Sequence, residues 1–222
     1  MTAENPTTIT LAMMRQSLYS AVVSDALDSL GYTHQSPRLQ LKPWTWNGLL
    51  VGRCKTTLWV DMAHVDADPY ALELKAVDEC EPDDVLIAAA GGSVRSGIWG
   101  ELLTTAARNR GCVGAIIDGA IRDVTKIRDL DFPVFARSTC LYDSLNRQRV
   151  VDVDVTVELE GVVFSPGDLV FADEDGVVVV PQIVEEEAIR RAWNKVHAEN
   201  MVRDSIRGGL LAAEAFAKYG VL

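Results

Sequence analysis

Apolar residues fall at helical spacing from Leu11 to Leu30, and Gly31 follows as a stop, so the pattern predicts a helix there. The period shortens over Leu49 to Val60, which reads as a strand or hairpin arm. Asp83 and Asp84 precede VLIAAA, a short apolar run closed by Gly91-Gly92 and suited to a strand buried on both faces. Ile98 to Arg110 reads as a helix with Gly111 at its C′ position. The strand VGAIID (Val113 to Asp118), a turn at Gly119 and a second helical start near Val124 come next.

Beyond Asp129 the chain turns to short β-branched segments. PVFAR, VDVDVTVEL, GVVF, DLVFAD and GVVVVP are parted by turn residues such as Pro166-Gly167-Asp168 and Glu174-Asp175-Gly176. Val151, Val153, Val155, Val157 and Leu159 alternate with polar residues, which predicts one half-exposed strand. A long polar helix from Ile183 to Ile206, then Gly208-Gly209 and a short helix from Leu210 to Tyr219, complete the pattern. Strand and helix alternate in the middle of the chain, so the class is α/β. With neither a repeat nor a Gly/Ser/Pro-rich linker, residues 1–222 read as a single domain with an N-terminal helix and a C-terminal helical extension.

Composition narrows the function. Twenty-one Lys plus Arg against 32 Asp plus Glu leaves −11, a balance that disfavours nucleic acid, whose phosphates reward surplus Lys and Arg. A local cationic pocket for a small anion remains compatible with that charge. The run Val85–Ala90 is far short of the ~20 residues of a membrane helix. MTAENPTTIT has no basic stretch leading into an apolar one, so no secretory signal is read and a cytoplasmic location is expected. The four cysteines form no CxxC pair and the three histidines are scattered, which argues against zinc or redox chemistry.

Chemistry concentrates between Gly91 and Asp123. A strand leads through a Gly-rich loop into a helix, and a second strand ends in Asp118-Gly119 and Arg122-Asp123. Loops at the carboxyl ends of strands are the usual ligand sites of α/β proteins. Free amides and the helix dipole near Gly100 to Leu103 would suit a carboxylate, although glycines there serve tight turns equally well. Neither GxGxxG nor GxxxxGK[ST] is present, so no nucleotide motif is read. Arg122-Asp123 could set a guanidinium fork beside a hard-cation ligand, or form a surface turn with a weak ion pair. Ser138-Thr139-Cys140 lacks a neighbouring base, which argues against a nucleophile.

The runs W-G-E-L-L-x-x-x-A, G-x-x-G-x-x-x-D-G-x-x-R-D and P-G-D-L-V-x-A-D-x-D-G-V-V-V-V-P stand in that order. Together they resemble the 4-hydroxy-4-methyl-2-oxoglutarate aldolases, a family that includes 4-carboxy-4-hydroxy-2-oxoadipate aldolases and regulator-of-ribonuclease-E-activity-A-like proteins. The family spacing of an acidic residue, 20 residues, then Arg-Asp is met by Glu101, Arg122 and Asp123. The resemblance implies a layered β/α/β sandwich similar to the phosphohistidine-domain swivelling fold, assembled as a homotrimer or homohexamer. It also implies metal-dependent cleavage of a 4-hydroxy-2-oxo di- or tricarboxylate to pyruvate and a second keto acid, with oxaloacetate decarboxylation alongside.

By the same resemblance, Arg122 contacts the 2-oxo acid and Asp123 ligates Mg²⁺ or Mn²⁺. Backbone amides around Gly100, Leu102 and Leu103 hold the pyruvate carboxylate. Glu101 orients a water, where the family more often has Asp. Glu199 reaches a neighbouring subunit's site, with Glu185, Glu186 and Glu187 as competitors for that role. No Lys lies between Lys75 and Lys126, which disfavours a Schiff-base aldolase. The alternative within the family is a non-catalytic regulator that binds another protein.

Overall fold

The computed structural model describes residues 8–38, 41–46 and 48–220; residues 1–7, most of the segment inspected for a secretory signal, lie outside them. The N-terminal apolar pattern yields two helices, α1 (Leu11–Ser17) and α2 (Ser20–Asp28), because Leu18 and Tyr19 are extended between them. The break is tertiary in origin. The Ser20 amide donates to Asp173 at 2.8 Å and its hydroxyl donates to the same carboxylate, so α2 starts where Asp173 caps it.

The chain continues through β1 (Lys42–Pro43), β2 (Leu50–Asp61), α3 (Ala71–Asp78), β3 (Asp84–Ala89), β4 (Gly97–Trp99), α4 (Glu101–Asn109), β5 (Gly114–Ile121), α5 (Val124–Asp129) and β6 (Val134–Thr139). The β-rich part follows as β7 (Gln148–Val153), β8 (Val157–Leu159), β9 (Val162–Phe164), β10 (Leu169–Asp173) and β11 (Gly176–Val180). A 3-10 turn (Gln182–Val184) leads into α6 (Glu185–Arg207), and α7 (Ala212–Tyr219) ends the described chain. Among the described residues no helix is long and apolar enough to cross a membrane.

The main sheet runs β1-β6-β5-β3-β2-β10-β11, with β4 added to β5 and β7 to β2. Pairs β2–β3, β3–β5 and β5–β6 are parallel, while β1, β7, β10 and β11 pair antiparallel. The expected α/β class is met as a mixed sheet. Phe135 on β6 and Val177 and Val179 on β11 share one apolar cluster although they stand far apart in strand order. The sheet therefore curls into a nearly closed barrel, and the β8–β9 hairpin adds Val157, Leu159, Val162 and Phe164 to its interior.

Period-2 alternation explains the outer layers. On β3, Val85, Ile87 and Ala89 face the interior, whereas Leu86 and Ala88 join the cluster with Val77 of α3, Ala107 of α4 and Ile127 of α5. On β10, Leu169 and Phe171 instead pack against α1, α2 and α6. The chain thus has helices on two outer faces and one apolar barrel between them.

Three local expectations are corrected. Ile98 and Trp99 belong to β4, not to the following helix, which starts after Gly100 because β5 supplies them with a strand partner. Gly119 lies inside β5, where a bulge in the β5–β6 pairing carries the strand on to Ile121. The Val151–Leu159 alternation is broken at Asp154, whose positive φ of 55° ends β7 before β8 begins. Asp154 is held there by Lys55 at 2.7 Å, and within β7 it is Val150 that is buried while Val151 is 40% exposed.

Phe164 is fully buried at the hairpin's inner end. Phe164→Ala is expected to destabilise the chain by about 3–5 kcal/mol through the cavity it leaves. Urea unfolding of the variant beside wild type measures this; a loss below about 1 kcal/mol would mean that the hairpin does not close the barrel.

Candidate active site

Parallel pairing of β4 with β5 sets Trp99 beside Ile121, and the Arg122 amide donates to the Trp99 carbonyl at 2.9 Å. The next residues of each strand, Gly100 and Arg122-Asp123, are therefore forced together where α4 begins. Asp123 has left-handed backbone geometry, with φ 59° and ψ 29°, which turns the chain sharply into α5. That conformation costs a non-glycine residue roughly 1 kcal/mol. Its Oδ2 accepts the Glu101 amide at 3.2 Å and so serves as a borrowed cap for α4, whose own N-cap, Gly100, has no side chain to do so. A Cβ on Gly100 would stand 2.8 Å from Asp123 Oδ2. One on Gly97 would stand 2.4 Å from the Cys140 carbonyl oxygen and 3.1 Å from Arg122 Cβ, so glycine is needed for both approaches.

The Arg122 guanidinium is fixed from the opposite side. Its Nη2 pairs with Asp143 Oδ2 at 2.7 Å, while Nε lies 3.9 Å from Asp123 Oδ2. Asp143 Oδ1 accepts the Tyr70 hydroxyl at 2.6 Å and the Leu145 amide at 2.8 Å. Burial opposes the Asp143 charge, yet these donors and Arg122 outweigh it and hold the carboxyl below its usual range. Tyr70 is pushed up to about 12 by burial and by its bond to Asp143. Its hydroxyl thus remains a donor at any physiological pH.

These groups surround a cavity of about 290 Å³ lined by Tyr70, Glu73, Leu74, Gly97, Ile98, Gly100, Leu102, Leu103, Arg122, Asp123, Asp143 and Ser144. A larger cavity of about 620 Å³ lies beside α1 and the start of α6. There Arg53 is already held by both carboxylate oxygens of Glu185, the further one at 2.7 Å, so that cavity offers less free charge. The smaller cavity gathers most of the residues that the sequence singled out.

Of the residues singled out from sequence, Gly100, Leu102, Leu103, Arg122 and Asp123 come together here, and Leu102 is 78% exposed at the mouth. The Glu101 backbone is at the site, but its carboxylate accepts from Thr105 at 3.0 Å and lies along α4. Glu199 is elsewhere in the chain: it accepts the Tyr19 hydroxyl at 2.6 Å and neighbours Lys195 and Arg203. Asp118, at the expected strand end, is buried and bound by Arg137 and the Gly92 amide, which makes it a structural tie.

Tyr70, Glu73, Asp143 and Ser144 were missed. Asp143 and Ser144 reach the cavity through a bridge between Gly97 and Asp143, a long-range contact without local pattern. Tyr70 and Glu73 carried a faint signal, since residues three apart at a helix start share a face.

Among the described residues no group of three or more His, Cys, Asp or Glu is placed to hold a metal. The Asp123 carboxylate, 40% exposed and held through Oδ2 by the Glu101 amide and the nearby Arg122, fits an ion that keeps most of its waters. Mg²⁺ binds in that way, through one or two carboxylates plus water and ligand oxygens.

The chain is similar in sequence and fold to several known proteins. A protein of Halalkalibacterium halodurans named as a candidate 4-hydroxy-4-methyl-2-oxoglutarate aldolase is 31% identical over 201 residues, covering 90% of each chain. A solved structure from Streptomyces coelicolor, described as an unusual member of the RNase ES inhibitor RraA protein family, is 29% identical with a TM-score of 0.74. It covers 89% of this chain, and this chain covers 99% of it. An uncharacterized protein from Pseudomonas syringae is 26% identical with a TM-score of 0.83, covering 99% of this chain and all of its own. A family model described as RraA-like, Aldolase/RraA, matches residues 20–179, a span that contains every residue lining the cavity and leaves Glu199 outside. The chain belongs to the RraA-like family.

Proposed function

We propose that this chain is a divalent-metal-dependent aldolase that cleaves a 4-hydroxy-2-oxo di- or tricarboxylate to pyruvate and a second 2-oxo acid, and that it decarboxylates oxaloacetate as a side activity. The observation that carries this reading is the placement of Arg122 and Asp123 against the open start of α4 at the mouth of one cavity. That is a cation, a hard-ligand carboxylate and an anion-binding helix end within reach of one small molecule.

In this reading the substrate's 1-carboxylate lies on the first-turn amides of α4 at Leu102 and Leu103, which have no intrahelical acceptors. Arg122 spends one nitrogen on Asp143 and keeps other N–H groups for the 2-oxo oxygen. When the C3–C4 bond breaks, its electron pair moves toward that oxygen, and the fixed guanidinium stabilises the charge as it develops. Tyr70 and Asp143 keep the guanidinium in place, so little reorganisation is needed at that moment. Asp123 would hold Mg²⁺ or Mn²⁺, which when bound supplies Lewis-acid charge to the oxygens of the 2-oxo acid. Glu101 would exchange its bond to Thr105 for a water at the mouth. Glu199, remote from its own chain's cavity, would serve a neighbouring subunit in a homotrimer or homohexamer. The exposed Leu102 and Leu141, 78% and 81% accessible, favour such an assembly.

The second reading is a non-catalytic regulator that binds another protein, favoured by the description of the Streptomyces coelicolor neighbour. Protein binding gives no reason to tether an arginine between two carboxylates beside the first-turn amides of a helix, and the enzyme reading does.

Two substitutions test the assignment. Arg122→Ala should lower kcat for pyruvate formation by about 10²–10³-fold, the effect of losing one fixed donor to a developing oxyanion; turnover at the wild-type rate would refute its role. Asp123→Ala should remove the response to Mg²⁺ and Mn²⁺. Activity that persists in this variant and in EDTA would rule out the metal role. A separate steric check is Gly97→Ala, which should leave a folded chain with displaced Arg122 and reduced kcat, measured by circular dichroism beside the same assay.

A further inference from the structure

Glu73 stands on α3 and lines the cavity that holds Arg122 and Asp123. The residue is only 8% exposed, and the nearby Ser144 hydroxyl favours its charged form. Its Oε2 is buried without any hydrogen-bond partner, which would be costly for a charged oxygen and is natural for a protonated one awaiting a ligand.

The surrounding charges agree. Asp143, from the loop after β6, is held ionised by Tyr70, Leu145 and Arg122, and lies close enough to disfavour a second negative charge. Arg122, from the end of β5, favours ionisation of Glu73 but is committed to Asp143. Tyr70, at the start of α3, donates its hydroxyl hydrogen bond to Asp143. Burial and Asp143 outweigh Arg122 and Ser144, and Glu73 is raised to about 8. The site thus contains two carboxyls driven apart by their environments, an arrangement that separates an acid from a permanent anion.

We propose that Glu73 is the catalytic acid of this cavity, giving the proton on its buried carboxyl to C3 of the enolate that remains after cleavage. The inference rests on the aldolase reading. The Glu73 O–H bond breaks, the enolate's C2–C3 π pair forms the new C3–H bond, and C2–O returns to a carbonyl, giving pyruvate. Glu73, now a carboxylate, regains a proton from solvent at the cavity mouth, balancing the proton that the substrate's 4-hydroxyl releases during cleavage. In oxaloacetate decarboxylation carbon dioxide leaves instead, and the same proton is taken up. Run backwards, the Glu73 carboxylate removes a methyl proton from pyruvate.

That reverse step supplies the test. Wild type with Mg²⁺ in D₂O should exchange the methyl protons of pyruvate, followed by proton NMR, with a rate that rises as pH passes through the Glu73 titration. Glu73→Gln keeps the shape of the neutral acid but cannot move a proton. It should exchange about 10²-fold or more slowly, within the usual contribution of a general acid, while binding pyruvate with unchanged affinity. Glu73→Asp should recover part of the rate. Exchange by Glu73→Gln at the wild-type rate would overturn the proposal while leaving the aldolase reading intact. A wild-type chain that neither exchanges protons nor releases pyruvate would overturn the aldolase reading, and this step with it.

A second readout needs no activity. A carboxyl that ionises near 4.5 when unfolded and near 8 when folded stabilises the fold fully below 4.5 and loses that contribution as pH rises toward 8. The wild-type melting temperature should therefore fall relative to that of Glu73→Gln between those values. Parallel curves would mean that Glu73 holds no proton at neutral pH and would also overturn the proposal.

Discussion

One hydrogen bond organises the site: the Arg122 amide to the Trp99 carbonyl, 2.9 Å, the last rung of the β4–β5 pairing. It fixes two strand ends side by side, so that whatever follows each strand must share the same small volume. Glycine at positions 97 and 100 makes room for that crowding. The left-handed turn at Asp123 then directs its carboxylate back onto the start of α4. Arg122, Asp123 and the helix amides are consequently neighbours through backbone pairing, and side-chain contacts only refine their positions.

Charge balance follows from the same geometry. The chain carries −11 overall, and its cavity joins one guanidinium to Asp123 and Asp143, with Glu73 kept neutral. Such a site has no surplus positive charge for a di- or tricarboxylate. A divalent ion at Asp123 would provide it, and a neutral Glu73 avoids adding a third repelling carboxylate. A metal and a protonated acid would be complementary answers to one electrostatic requirement, with the partially charged start of α4 adding to them.

Much of the fold was legible because its signals are local. The apolar run of β3, Gly111 ending α4 with φ +99° and the turn residues of the β-rich half all reported their elements directly. What misled was tertiary. The gap between α1 and α2 is set by Asp173, some 150 residues away, and the break at Asp154 depends on Lys55. The site divides likewise. Gly100 to Leu103 and Arg122-Asp123 lie on two contiguous motifs; spacing left them open to a structural reading, and the family resemblance singled them out. Tyr70, Glu73, Asp143 and Ser144 stand outside both motifs, and the Gly97–Asp143 bridge that brings the loop after β6 to the cavity is a long-range contact without local pattern.

Whether this cavity breaks a carbon–carbon bond next to a 2-oxo acid is decided by its products. The most direct measurement is pyruvate release by the wild-type chain from 4-hydroxy-4-methyl-2-oxoglutarate and from oxaloacetate, coupled to lactate dehydrogenase, with Mg²⁺ and then with EDTA. Turnover with Mg²⁺ that EDTA abolishes is the expected result. Absence of pyruvate from both substrates, in a folded chain supplied with the ion, would contradict it and favour the protein-binding regulator.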